Sequence, residues 1–325
     1  MKKFDFIAIG DITTDAFIRL EEKSAHCFID KGNLELCVNF GDKIPYEFVK
    51  EVSAVGNSPN ASVSASRLGL RSALITNLGK DNNGEKCIAS LKANGVDCDF
   101  VSVQNDKKSN YHYVLWYEDD RTILVKHEKY QYKLPDFGEP EWIYLSSIGR
   151  DTEQYHIDIA DYLEKHPSIK MAFQPGTFQL ELGKEKLKKI YSQTELLAIN
   201  KKEAQEILGT KEEDPQKLVE NLQKLGPKSI LMTNGPKGAY FYDGKEMIFT
   251  PPYPDPKPPY DRTGAGDAYA STFVSALILG KTPREASLWA SINSMSVVQK
   301  IGAQEGLLSQ KEIEKYLTLN QARVN

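Results

Sequence analysis

Cysteine is scarce in this sequence: Cys27, Cys37, Cys87 and Cys98 are the only four in 325 residues, and no two of them form a CxxC pair. Neither a zinc site nor a redox motif is therefore indicated, and reduced thiols are the expectation. A bridge between Cys27 and Cys37 is conceivable, but a chain this long needs no covalent staple. Long apolar runs are lacking too. No window of 18 apolar residues occurs, so no membrane span is expected. The opening MKKFDFIAIGD has lysines before an apolar stretch, yet Asp5 interrupts that stretch and Gly10 ends it. It is too short for an export signal and fits a buried first strand, which points to the cytoplasm. Excess positive charge is also missing. A net charge of -4 argues against a nucleic-acid partner. The densest basic segment, Lys184 to Lys189, is broken by Glu185 and Leu187 and reads as a solvated helix face.

What is present is enough apolar residue, 40%, for a sizeable core. Short apolar runs alternate with helical patterns over most of the length. FIAIG (6–10), SALIT (72–76), EWIYLSSIG (141–149), KMAFQPG (170–176), ELLAIN (195–200) and SILMTNG (229–235) are candidate strands. Between them lie helices such as NNGEKCIASLKANG, closed by Gly95, and KKEAQEILG, closed by Gly209. This rhythm predicts an α/β fold with a mainly parallel central sheet and helices on both faces.

Two regions break it. Strand-like AFIRL and LELCVNF occupy the stretch between Asp15 and Pro45, and SNYHYVLWYEDDRTILVKH, Ser109 to His127, reads as a hairpin turning around Glu118 to Arg121. With no crossover helix, both would sit outside the parallel sheet. The expectation is one domain over 1–325 carrying a small β lid made by insertions at about 12–50 and 109–127. PPYPDPKPP, Pro251 to Pro259, forms a stiff extended connector.

That connector leads into Asp261-Arg262-Thr263-Gly264-Ala265-Gly266-Asp267, followed by AYASTFVSALILG, which is apolar at helical spacing. The motif thus feeds a helix N-terminus, where free N–H groups and the positive dipole end attract an anion and small residues let phosphate oxygens approach. Asp267, in the first turn, could take a proton from an attacking hydroxyl. An acid there also suits any helix dipole, and locally the two readings stand level. A dinucleotide fingerprint fits less well, because proline-rich loop rather than strand precedes the glycines. A Walker A loop is absent, since Ser275 stands where the first glycine before Gly280-Lys281-Thr282 belongs.

DRTGAGD and VGNSPNASVSASRLG (Val55 to Gly69), some 200 positions apart in that order, resemble the C-terminal and N-terminal signatures of the PfkB family, the ribokinase-like sugar and nucleoside kinases. The resemblance covers nearly the whole chain and implies a three-layer α/β/α fold with a β lid, ATP and Mg²⁺. It makes Asp267 the catalytic base and Gly264, Ala265 and Gly266 the anion hole. Asp15, closing GDITTD, takes the position of the substrate-binding aspartate, joined by Gly56, Asn57 and Asn60. NKKE makes Asn200 and Glu203 helpers of Mg²⁺ and phosphate placement. Thr233, Gly235 and Gly238 in TNGPKG resemble the nucleotide-binding turn. Asp261 and Thr263, with carbonyls near Gly302, match positions that hold a monovalent cation, K⁺, in relatives. Arg262 and Asn57 depart from the family pattern, in which small residues or proline are common.

The implied reaction is γ-phosphoryl transfer from ATP to a hydroxymethyl group, with a sugar favoured over a nucleoside. A non-catalytic metabolite-binding homologue is the rival from another class. Tyr111, Tyr113, Trp116 and Tyr117 could stack a nucleobase or bury one face of the lid, and Arg150 could meet a phosphorylated sugar or form an ion pair. Exposed lid edges suggest a homodimer.

Overall fold

The computed structural model describes residues 3–30, 33–118 and 120–324. The N-terminal part runs β1 (Phe6–Ile9), β2 (Thr13–Leu20), β3 (His26–Asp30), β4 (Asn33–Cys37), β5 (Tyr46–Val55), α1 (Asn57–Arg67), β6 (Ser72–Gly79), α2 (Asn82–Ala93), β7 (Val101–Gln104), β8 (Asn110–Tyr117) and β9 (Asp120–Leu124). The chain continues through β10 (Trp142–Leu145), α3 (Glu153–Lys165), β11 (Lys170–Phe173), α4 (Thr177–Leu182), α5 (Lys188–Gln193), β12 (Leu196–Asn200), α6 (Lys201–Leu208), α7 (Pro215–Gln223) and β13 (Ser229–Thr233). It closes with β14 (Ala239–Tyr242), β15 (Met247–Thr250), α8 (Ala265–Ile278), α9 (Pro283–Val297) and α10 (Gln310–Val324).

The main sheet has nine strands in the order β15-β14-β13-β12-β11-β10-β1-β6-β7. It is parallel from β7 to β13, and only the β14–β15 hairpin runs antiparallel. Six strands expected from sequence are here. Strand residues alternate between two cores: Phe6 and Ala8 pack with α1, α8 and α9, whereas Ile7 and Ile9 pack with α3, α5 and α7. Both faces are covered, so β1 and β10 read as unbroken apolar runs rather than alternating ones. The two glycines expected to close α2 and α6, Gly95 and Gly209, both sit at positive φ, 72° and 63°. Asp81 accepts from Gly84 N–H at the start of α2, and Gly209 closes α6 in the left-handed conformation.

A second sheet, β5-β2-β8-β9, stands beside the first, with β2 and β8 parallel and the outer pairs antiparallel. The hairpin expected around Glu118 to Arg121 is its β8–β9 pair. LELCVNF behaves differently from AFIRL: its β4 pairs with β3 in a separate ribbon, and Cys27 and Cys37 are free thiols. On β8 the pleat sends His112, Val114 and Trp116 inward, while Tyr113 is exposed. No helix among the described residues is long and apolar enough to cross a membrane.

Candidate active site

Loops beyond the carboxyl ends of β1 and β10, together with the starts of α1 and α8, enclose a cleft of about 520 Å³ that the second sheet helps to line. Asp11, Asp15, Asn60, His112, His127 and Asp267 are on its wall. A second cavity of about 510 Å³ lies on the other side of the α8 start, lined by Thr233, Gly235, Gly238, Arg262, Ala265 and Gly266 among others. The two cavities meet at one helix N-terminus, with Thr263 and Asp267 facing the first and Ala265 and Gly266 the second.

Sequence dictates that turn. Gly264 has φ 79°, and a Cβ there would come within 2.2 Å of the Ala303 Cβ, so a side chain is excluded on both counts. Ala265 N–H makes a long turn bond of 3.4 Å to the Arg262 carbonyl. The N–H groups of the first helical turn have no intrahelical acceptor, and the positive end of α8 points at the junction of the cavities. Small residues, Ala268, Ala270, Ser271 and Ser275, let α8 sink into the core.

Asp267 is half-buried. Three side-chain amides converge on it: Asn57 Nδ2 and Gln174 Nε2 donate to Oδ1 at 2.9 and 3.0 Å, and Asn60 Nδ2 donates to Oδ2 at 2.8 Å. Burial raises its pKa above the ordinary carboxylate value, and the hydrogen bonds from Asn60, Gln174 and Asn57 partly offset that rise. The amides are themselves held. Gln174 Oε1 accepts from the buried Tyr144 hydroxyl at 2.7 Å, and Gln304 Nε2 donates to Asn60 Oδ1 at 3.0 Å and to the Ala54 carbonyl at 2.7 Å.

Asp15 reaches the same cleft from β2, opposite His112 of β8 in the strand register. Gly56 also lines it, at φ 117° and close under the Asp11 carbonyl. Asn200 and Glu203 line neither cavity; they form a reciprocal cap on α6, each side chain accepting from the other's backbone N–H at 2.9 Å. Burial, followed by the nearby Asp267 charge, raises the Glu203 pKa despite its bond from Asn200 N–H. Asp261 ties the loop together: Oδ1 accepts from Thr263 N–H (2.9 Å) and Oγ1–H (2.6 Å), and Oδ2 accepts from Gly302 N–H (2.7 Å).

Other residues singled out from sequence also find places. Arg262 faces the second cavity, and Arg150 borders the first, clamped by Glu181. Tyr111, Tyr113, Trp116 and Tyr117 do not line the first cleft; Trp116 instead meets Tyr260 edge-on at 5.1 Å and the Arg19 guanidinium at 4.7 Å. Sequence reasoning missed Gln174, Asp11, His112, His127 and Gln304. The only local signal was position, since Gln174 directly follows β11 and Asp11 lies two residues past β1, where α/β sheets place ligand-facing residues. The Asp11 side chain is well satisfied, accepting from Tyr132 Oη–H (2.9 Å), Gly149 N–H (2.9 Å) and the His127 ring (3.0 Å).

Two clefts sharing one helix N-terminus, with a carboxylate on one side of it, are the arrangement of a group-transfer enzyme. The pfkB family carbohydrate kinase profile matches residues 37–310, and the chain belongs to that family. It is a phosphotransferase with an alcohol group as acceptor. Ribokinase of Bacillus subtilis (strain 168) is 26% identical over 269 residues, 81% of this chain and 87% of that protein. Among solved structures, Arabidopsis thaliana ribokinase complexed with ribose and ATP superposes with a TM-score of 0.79 at 20% identity, covering 97% of this chain and 99% of that one. The nucleoside kinase of Methanocaldococcus jannaschii gives 0.77 at 18%, covering 98% and 100%.

Proposed function

We propose that the chain transfers the γ-phosphoryl group of ATP to a hydroxymethyl group of a sugar bound in the 520 Å³ cleft, with Asp267 as the base. The observation that carries this reading is the position of Asp267 at the wall between the two cavities, half-buried and oriented by three amides. The acceptor oxygen forms its bond to the γ-phosphorus as the bond to the β-phosphate oxygen breaks, and the acceptor's proton passes to the Asp267 carboxylate. The Gly264–Gly266 amides at the head of α8 steady the charge on the moving group. Thr233, Gly235 and Gly238 bound the nucleotide side, and Arg262 supplies a cation there.

No group of three or more His, Cys, Asp or Glu side chains able to hold a metal occurs among the described residues. Mg²⁺ would arrive with the nucleotide and would neutralise phosphate charge, and the residues that would help to place it are Asn200 and Glu203, which cap α6 outside both cavities. Asp261 and Thr263 supply oxygen atoms suited to K⁺ beside the same loop. The sugar reading is favoured over a nucleoside because the four lid aromatics that would stack a base lie off the cleft. Exposed Val49, Tyr113 and Leu124 on the second sheet support pairing of two chains through their lids, and the need for ATP supports a cytoplasmic site of action. ADP release with Mg-ATP across sugars and nucleosides tests the proposal. An inert protein that still bound both ATP and sugar would favour a sensor role instead.

A further inference from the structure

The two oxygens of Asp267 are engaged unevenly. Among the described residues Oδ1 accepts two amide hydrogen bonds, from Asn57 Nδ2 and Gln174 Nε2, whereas Oδ2 accepts one, from Asn60 Nδ2 at 2.8 Å. A carboxylate offers two lone-pair directions on each oxygen. Both on Oδ1 are used, and one on Oδ2 is left for an acceptor hydroxyl. Where that lone pair points depends on where the Asn60 amide stands.

Gln304 fixes that amide. Its Nε2 donates to Asn60 Oδ1 at 3.0 Å and to the Ala54 carbonyl at 2.7 Å. A reversed Asn60 amide would turn its oxygen to the Asp267 carboxylate and bring its NH₂ against the NH₂ of Gln304, two repulsive contacts in place of two bonds. Gln304 cannot reverse in its turn, because its oxygen would then meet the Ala54 carbonyl, a main-chain group that only accepts. Ala54 is itself held, at φ 63° with its N–H donating to Cys87 Sγ at 3.3 Å. Gln304 is 6% exposed, lines neither cavity, and has its own carbonyl held by Arg67 Nη1 at 2.6 Å. The two residues before it brace the same site from other sides: Gly302 N–H donates to Asp261, and Ala303 packs under Gly264.

We propose that the acceptor's proton passes to Oδ2 of Asp267 and that Gln304 is a positioning residue for this step, acting through Asn60. This rests on the kinase reading and deepens it to the atom that takes the proton. As the acceptor oxygen bonds to the γ-phosphorus and the bond to the β-phosphate oxygen breaks, the proton leaves along the open lone pair of Oδ2.

The test uses the full chain with Mg-ATP and whichever of D-ribose, D-fructose and adenosine is turned over fastest. Gln304→Met keeps length and bulk but donates nothing, so kcat should fall about fivefold with both KM values within about twofold. The acid limb of kcat should move to higher pH, since a loosened Asn60 stabilises the ionised Asp267 less. Gln304→Glu should cost more, about 20-fold, because an ionised carboxylate would accept from Asn60 Nδ2 and draw it off Asp267. In an Asn60→Ala background either change should alter kcat less than about twofold, because the route is gone. An unmoved kcat and limb in folded Gln304→Met, or an effect that persists with Asn60→Ala, overturns the positioning role; if Gln304→Met does not fold, Gln304→Glu with and without Asn60→Ala decides the same point. Asn60→Ala should lower kcat at least about threefold more than Gln174→Ala, since it frees the accepting oxygen, and the reverse order would move the proton to Oδ1. Turnover that ignores Gln304 sinks this inference alone. No ADP release from the unmodified chain with any of the three acceptors sinks it together with the kinase reading.

Discussion

The two cavities on either side of the α8 start are nearly equal in volume, about 510 and 520 Å³, yet they are built in opposite ways. The cavity proposed for the nucleotide is lined by the glycine- and proline-bearing segments 233–239 and 250–269 and by Ser291, Ser294, Met295 and Val298 at the end of α9, with Arg262 and Asp255 as its charged groups. The acceptor side is walled by side chains drawn from β2, α1, β8 and α8, and most of its chemistry is ionisable. On the proposed function, the cavity for the common cosubstrate carries few ionisable groups. One that must choose among similar alcohols is made from convergent side chains, whose contacts can be changed one at a time.

Experiments can strain this contrast. The largest effect should come from Asp267→Asn, which lowers kcat by about 100-fold or more with little change in nucleotide KM. Steady-state kinetics check this, and near-normal turnover would remove Asp267 from the chemistry. Gly264→Val follows. It forces a branched side chain into positive φ and onto Ala303, costing about 3 kcal/mol or more in urea unfolding, so an unchanged midpoint would contradict the described turn.

Gln174→Ala acts on the acceptor side alone. It deletes one donor to Asp267, so kcat should fall about tenfold. The pH profile gives a second reading. Burial already raises the Asp267 pKa, so the acid limb of kcat should lie above the ordinary carboxylate range, and losing a bond that stabilises the ionised form moves it higher still. A limb that stays put or moves down would mean that Gln174 does not tune the base. Arg262→Ala is the mildest change. An exposed guanidinium on the nucleotide side should alter ATP KM less than about fivefold and acceptor KM not at all. A change confined to the acceptor would place Arg262 on the wrong side of the junction.

The contrast also explains what could be read in advance. Thr233, Gly235, Gly238 and the Gly264–Asp267 turn were visible because each cluster is a short contiguous string whose residue types answer to local backbone demands. Asn57 and Asn60 were visible as a pair three positions apart on a helix start, though not as donors to Asp267, which lies 210 and 207 positions away. Gln174 and His112 carry no local mark. Nor could the tyrosines of β8 be told from stacking residues until the register of β2 with β8 set which pleat faces inward.

Local chemistry alone settled the alternation of strands and helices, the helix caps, the second β unit and the glycine turn that opens α8, because each follows from periodicity or a single residue's conformational limits. The company that Asp267 keeps, the facing of Asp15 by His112 and the pairing of Arg150 with Glu181 were decided only when distant segments packed together. Such contacts depend on the positions of whole elements to within a hydrogen bond's length, which residue order along one segment does not encode.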